Sequence, residues 1–221
     1  MDKNRREQAL AVIKALEREY PDALCSLVYI KPYELLIAAR LAAQCTDARV
    51  NIVTKDLFAR YPALESFAGA DVTDVENIIR PCGLGASKAR DIVCMAGMLI
   101  EEYGGIVPDT MDELLKLPGV GRKTANLILG DIYGKPAVVC DTHCIRINVL
   151  LGLSDSKNPT IAEKQLRAVL PPEKSNDYCH RIVLHGRAVC HARSPRCGEC
   201  CLANHCDYAN NNDIHTKGTP E

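Results

Sequence analysis

Apolar residues recur every three to four positions along most of this chain, the spacing of helices with one buried face. Over residues 3–19 the pattern places Leu10, Ile13 and Leu16 on one face, with Ala9 and Val12 beside them, and Pro21 stops the run. Residues 33–44, YELLIAARLAAQ, are apolar all round and predict a core helix. Thr46 or Asp47 can cap the next helix, which runs to about Arg60 before Tyr61-Pro62. Further helices are predicted near 73–80, 87–103, 110–116, 122–133, 141–151, 160–169 and 176–188. Val and Ile never alternate with period two for long, so no sheet is expected.

Composition narrows the class. A chain of 221 residues with 47% apolar content can build one large domain or two small ones. It holds no apolar run of 18 residues, and its charged N-terminus develops no apolar signal segment, so no membrane span is expected and a cytoplasmic location is. The net charge of −1 gives no overall basic signature, but a total averages over faces. Residues 209–221 are Asn-rich, poor in apolar residues and predicted to be a flexible tail.

Two Gly-rich turns share a pattern. Residues 83–89 read GLGASKA and residues 119–125 read GVGRKTA. In the second, Pro118 ends one helix, Gly119 and Gly121 let the backbone approach a partner closely, and a new helix starts near Arg122. Free N–H groups at a helix start suit a phosphate, and Arg122 adds charge. By itself this makes Lys123 a phosphate contact or a nucleophile.

Of the twelve cysteines, six lie singly between Cys25 and Cys144 in apolar surroundings and read as small buried hydrophobes. Cys190, Cys197, Cys200 and Cys206 follow C-x6-C-x2-C-x5-C on a loop-rich segment too short of apolar residues to form a core. Four thiolates so spaced hold either zinc or a [4Fe–4S] cluster. Cys201 directly follows Cys200; adjacent side chains diverge, so it is left out of the ligand set.

These motifs together resemble the endonuclease III family. LPGVGRKTAN is similar to its helix-hairpin-helix, AVVCDTHCIRI to the stretch carrying its acidic residue, and the cysteine spacing to its cluster loop. The likeness runs from Pro32 to Cys206. It implies an all-α, two-lobed fold around a DNA-binding cleft. One lobe would be residues 25–135, a helical barrel with the hairpin; the other would combine 1–24 with 136–208 and carry a [4Fe–4S] cluster. It implies a monomer acting on duplex DNA that carries an oxidised pyrimidine or an abasic site, associated with the nucleoid. Lys123 would attack C1′ of the damaged nucleotide and Asp141 would assist, making the enzyme both glycosylase and lyase.

An ordinary lysine is neutral only about once in 2,500 at pH 7, so the site must lower its pKa. Asp141 is therefore expected near Lys123 without a tight ion pair, and it can also cap a helix. His143 is expected to be structural. The resemblance makes Leu84 a wedge that fills the space of a flipped nucleotide and Gln44 a second filler. Gly85 departs from the family, which usually has tyrosine there. Lys88, Arg193 and Arg196 are candidate phosphate contacts. Rival readings are a mismatch-specific adenine or thymine glycosylase of the same superfamily, a non-enzymatic helix-hairpin-helix protein with zinc, and an iron–sulfur electron carrier.

Overall fold

The computed structural model describes residues 3–212. Among these there is no strand, and the chain divides into two compact units. In chain order the helices are α1 (Lys3–Glu19), α2 (Pro32–Leu41), α3 (Asp47–Arg60), α4 (Leu64–Ala68), α5 (Val72–Ile79), α6 (Gly85–Tyr103), α7 (Met111–Leu114), α8 (Arg122–Asp131), α9 (Thr142–Leu151), α10 (Pro159–Val169), α11 (Ser175–Ala188) and α12 (Asp207–Asn211). No described helix is long and apolar enough to cross a membrane.

Residues 25–134 form one unit, containing α2 to α8. Its core takes Leu35, Leu36, Ile37 and Leu41 from α2, Val50 and Leu57 from α3, Phe67 from α4, Ile79 from α5 and Ile92, Met95 and Leu99 from α6, all at most 1% exposed. That α2 is buried on nearly every side follows from its unbroken apolar run. Its start is fixed by Glu34, whose Oε2 accepts from the Ile30 and Lys31 amides at 2.7 and 3.1 Å. Helix α2 ends at Leu41, and residues 42–45 make the turn into α3. Thr46, not Asp47, caps α3 by accepting from the Arg49 amide. Helix α4 has too few residues to show a period, so the sequence pattern misses it.

The other unit joins residues 3–24 to 135–212 in the described chain. Helix α1 packs on α10 and α11, and α9 packs on α11. The buried stripe of α1 is Ala9, Val12, Ile13 and Leu16, while Leu10 is 42% exposed. The i, i+3, i+4, i+7 set, rather than the one beginning at Leu10, faces the core. Asp141 and Asn158 cap α9 and α10 through their side-chain oxygens. Residues 207–211 form α12, with Ala209 buried, where the sequence predicts a tail from 209; residues 213–221 of that tail lie outside the described residues. Of the six scattered cysteines, Cys82, Cys140 and Cys144 are buried, Cys25 and Cys45 are partly so, and Cys94 is exposed.

Candidate active site and cluster loop

The hairpin before α8 is shaped by packing from below. Gly119 has φ +74°, and a Cβ there would lie 2.6 Å from Arg40 Cδ and Nε and 3.0 Å from Asp91 Oδ2. Arg40 of α2 pairs with Asp91 of α6 at 2.7 Å and donates to Ser87 Oγ at 3.3 Å. The glycine thus lets the turn rest on this ion pair. At Gly121 a Cβ would meet nothing within 4 Å, and the residue is exposed, so its upper side is open to a partner. Gly121 is the N-cap of α8 and supplies no side-chain oxygen. The first amides of α8 therefore have no side-chain cap, as an anion site requires. Arg122 and Lys123 are both exposed in that first turn.

Two other turns of this unit carry strained backbone. Gln44 has φ 58° and Leu84 has φ 54°, the two non-glycine residues with positive φ among those described. That region costs a residue with a Cβ about 1–2 kcal/mol, so its use at these places needs a reason. Both side chains are exposed, Leu84 by 57%. Gly83, with φ 71°, precedes Leu84, and Leu84 is the N-cap of α6. Cys45, next to Gln44, neighbours Cys82, two residues before Leu84. Burial pushes the Cys82 thiol up to about 11, and the nearby Cys45 thiol adds to the rise.

Lys88 departs from expectation. It is fully buried, and its Nζ donates to the carbonyls of Leu41 and Cys82, each at 2.8 Å. An ammonium so enclosed cannot contact a phosphate. The sequence shows a lysine in a Gly-rich turn, but not that two carbonyls converge on it.

In the other unit, Asp141 is half-buried and Oδ1 accepts from the Cys144 amide at 2.7 Å, which fixes the carboxylate at the start of α9. His143 lies over α11, where a Cβ on Gly186 would sit 2.4 Å from its Nδ1. Burial, then Arg146 and Arg187, lowers its pKa despite the opposing pull of Asp141, and the ring serves packing.

The segment after α11 carries Cys190, Cys197, Cys200 and Cys206 on short turns, all partly buried. Arg146 holds its start: Nη2 donates to the Cys190 carbonyl at 2.6 Å and Nη1 approaches Cys190 Sγ at 3.5 Å. Cys200 Sγ lies 3.3 Å from Nε2 of His185, whose Nδ1 meets Tyr20 Oη at 3.2 Å. Burial, then Arg146, lowers the His185 pKa to about 4, so the ring is neutral at pH 7.

Burial raises the thiols of Cys197, Cys200 and Cys206, that of Cys200 to about 12, and neighbouring cysteines raise each further. Thiols this close, in surroundings that oppose bare thiolates, need cationic metal to ionise. Yet among the described residues no three His, Cys, Asp or Glu side chains converge on a single-ion position. The donor set, four thiols on one short loop, suits zinc or a multi-iron cluster alike.

Arg193 is exposed. Arg196 is engaged within the protein: its Nη2 donates to the Ala188 carbonyl and its Nη1 pairs with Glu199 at 3.1 Å. The sequence marks it as a phosphate contact. In the structure it braces the loop from an exposed position, because the C-terminal carbonyls of α11 need donors.

Comparison with known proteins agrees with this geometry. Residues 37–172 match the HhH-GPD superfamily of base excision DNA repair proteins, and residues 190–206 match the iron–sulfur binding domain of endonuclease III. The chain carries a [4Fe–4S] cluster. It is 44% identical to endonuclease III of Bacillus subtilis, over 85% of this chain and 86% of that one. It is 42% identical to endonuclease III of Synechocystis, over 93% of this chain and 94% of that one. A solved structure of a trapped endonuclease III–DNA covalent intermediate superimposes with a TM-score of 0.87 at 40% identity, covering 94% of this chain and 98% of that one. The chain therefore belongs to the endonuclease III family, enzymes of the DNA glycosylase and lyase class within the HhH-GPD superfamily.

Proposed function

We propose that this enzyme removes oxidised pyrimidines from duplex DNA and then cleaves the strand 3′ to the abasic site. Lys123 is the nucleophile. Its Nζ attacks C1′, the N-glycosidic bond breaks, and the base departs with the bonding electrons. Asp141 offsets the positive charge that builds on the sugar. Ring opening gives an iminium linking Lys123 to C1′. Loss of a C2′ proton then expels the 3′ phosphate by β-elimination.

The observation that carries this reading is the exposed Lys123 in the first turn of α8, on a hairpin with an uncapped helix start and an open glycine face. The relative trapped as a covalent intermediate with DNA supports it. Gly119, Gly121 and Arg122 bind the phosphate backbone beside the lesion, and Arg193 contacts it from the cluster loop. Gln44 and Leu84 fill the space left by the flipped nucleotide; their strained, exposed positions are those of fillers held ready. The protein acts as a monomer in the cytoplasm, on DNA of the nucleoid. Cys190, Cys197, Cys200 and Cys206 hold the cluster, which when bound crosslinks this loop and so fixes Arg193.

Borohydride trapping tests the nucleophile. Wild type incubated with thymine-glycol duplex and borohydride should give a covalent adduct, and Lys123→Ala should give none. An adduct from Lys123→Ala equal to that of wild type would remove Lys123 from this role.

A further inference from the structure

The two strained turns of residues 25–134 are far apart in sequence but share one cation. Lys88 Nζ donates at 2.8 Å to the carbonyl of Leu41, the last residue of α2 and three before Gln44. It donates at 2.8 Å to the carbonyl of Cys82, two residues before Leu84. Its own backbone amide bonds the Leu84 carbonyl at 3.1 Å. One residue thus joins the end of α2, the turn before α6 and the first turn of α6.

Stability alone is a poor reason for a lysine here. It is fully buried. Burial lowers its pKa, a shift that the neighbouring Cys82 and Cys45 oppose and Arg40 adds to. It stands in the first turn of α6, where the helix dipole repels a cation. An apolar side chain of similar length would avoid these costs. What such a side chain could not do is bond two carbonyls at once.

The geometry points to Lys88 as a positioning residue, fixing the separation of Gln44 and Leu84 so that both side chains enter the opened duplex together. This rests on the reading of those two residues as fillers. The Arg40–Asp91 pair braces the hairpin on the same two helices, α2 and α6, so the three turns share one foundation.

The test compares Lys88→Met with wild type in two reactions. The first is base release from thymine-glycol duplex at single turnover, with 2-aminopurine opposite the lesion reporting extrusion. The second is borohydride trapping on a single-stranded abasic oligonucleotide, which needs Lys123 chemistry but no opening. Lys88→Met should lose about tenfold to a hundredfold in the first, with a weakened extrusion signal, and match wild type in the second. Combined with Leu84→Ala it should be no slower than Leu84→Ala alone, since both remove one action. If Leu84→Ala opens duplex normally, the filler reading itself fails. If Leu84→Ala is impaired and Lys88→Met is not, only the role of Lys88 fails; an equal loss in both reactions also overturns it. Lys88→Gln, which keeps a shorter, neutral donor group, should show a smaller version of the same split. It decides the question should Lys88→Met not fold.

Discussion

At Gly119 two requirements meet in one residue: a backbone angle of +74° and the absence of any Cβ above Arg40. Alanine there must strain the turn and displace the Arg40–Asp91 pair. Gly119→Ala should cost about 1–3 kcal/mol and lower Tm by several degrees; an unchanged melting curve would contradict the packing described. Asp141 also has two duties, and substitutions separate them. Asparagine keeps a cap and removes the charge, whereas alanine removes both. Asp141→Asn should therefore fold and bind DNA like wild type but lose most of its base-release rate. Asp141→Ala should lose the rate and about 1 kcal/mol of stability as well, measured by urea unfolding. Unchanged turnover in Asp141→Asn would remove the carboxylate from the mechanism.

Among elements, the crossing of α9 and α11 and the loop beyond it behave differently. His143 fits over Gly186, with its pKa held below the usual value mainly by burial. The unfolded chain then takes up a proton near the ordinary histidine pKa of about 6.5, before the folded one does. Stability from this ring is complete above that pH and is lost as pH falls through the lowered folded value. Thermal unfolding followed from pH 7.5 downward should show Tm falling below about pH 6.5, and less so in His143→Gln. In the loop, Arg193 and Arg196 share a charge but not a role. Arg193→Ala should weaken DNA binding and reduce the salt slope by about one. Arg196→Ala should leave that slope alone and hasten loss of the cluster's visible absorbance during heating. The reverse pattern would reassign both.

For the whole molecule, two separate cores set what the cluster can influence. Residues 25–134 bury their own apolar set, and none of the four cluster cysteines belongs to it. Removing iron with a chelator should loosen residues 190–206 in hydrogen exchange while α2, α3 and α6 keep their protection. Collapse of protection in those helices on chelation would show that the cluster supports both units.

The sequence by itself determined the all-α fold, the hairpin before α8 and the cysteine loop. Each is written in local spacing: apolar residues at helical period, glycines bounded by a proline, thiols at fixed intervals. It marked Leu84 and Gln44 through a family likeness, but not their left-handed backbone. Only the tertiary structure decided the fate of Lys88. It reads as a basic residue on an exposed turn, because charge is visible in a sequence and enclosure is not. The Leu41 carbonyl that takes Lys88 out of solvent is 47 residues away, and a main-chain oxygen leaves no mark in the sequence to say which lysine it will meet.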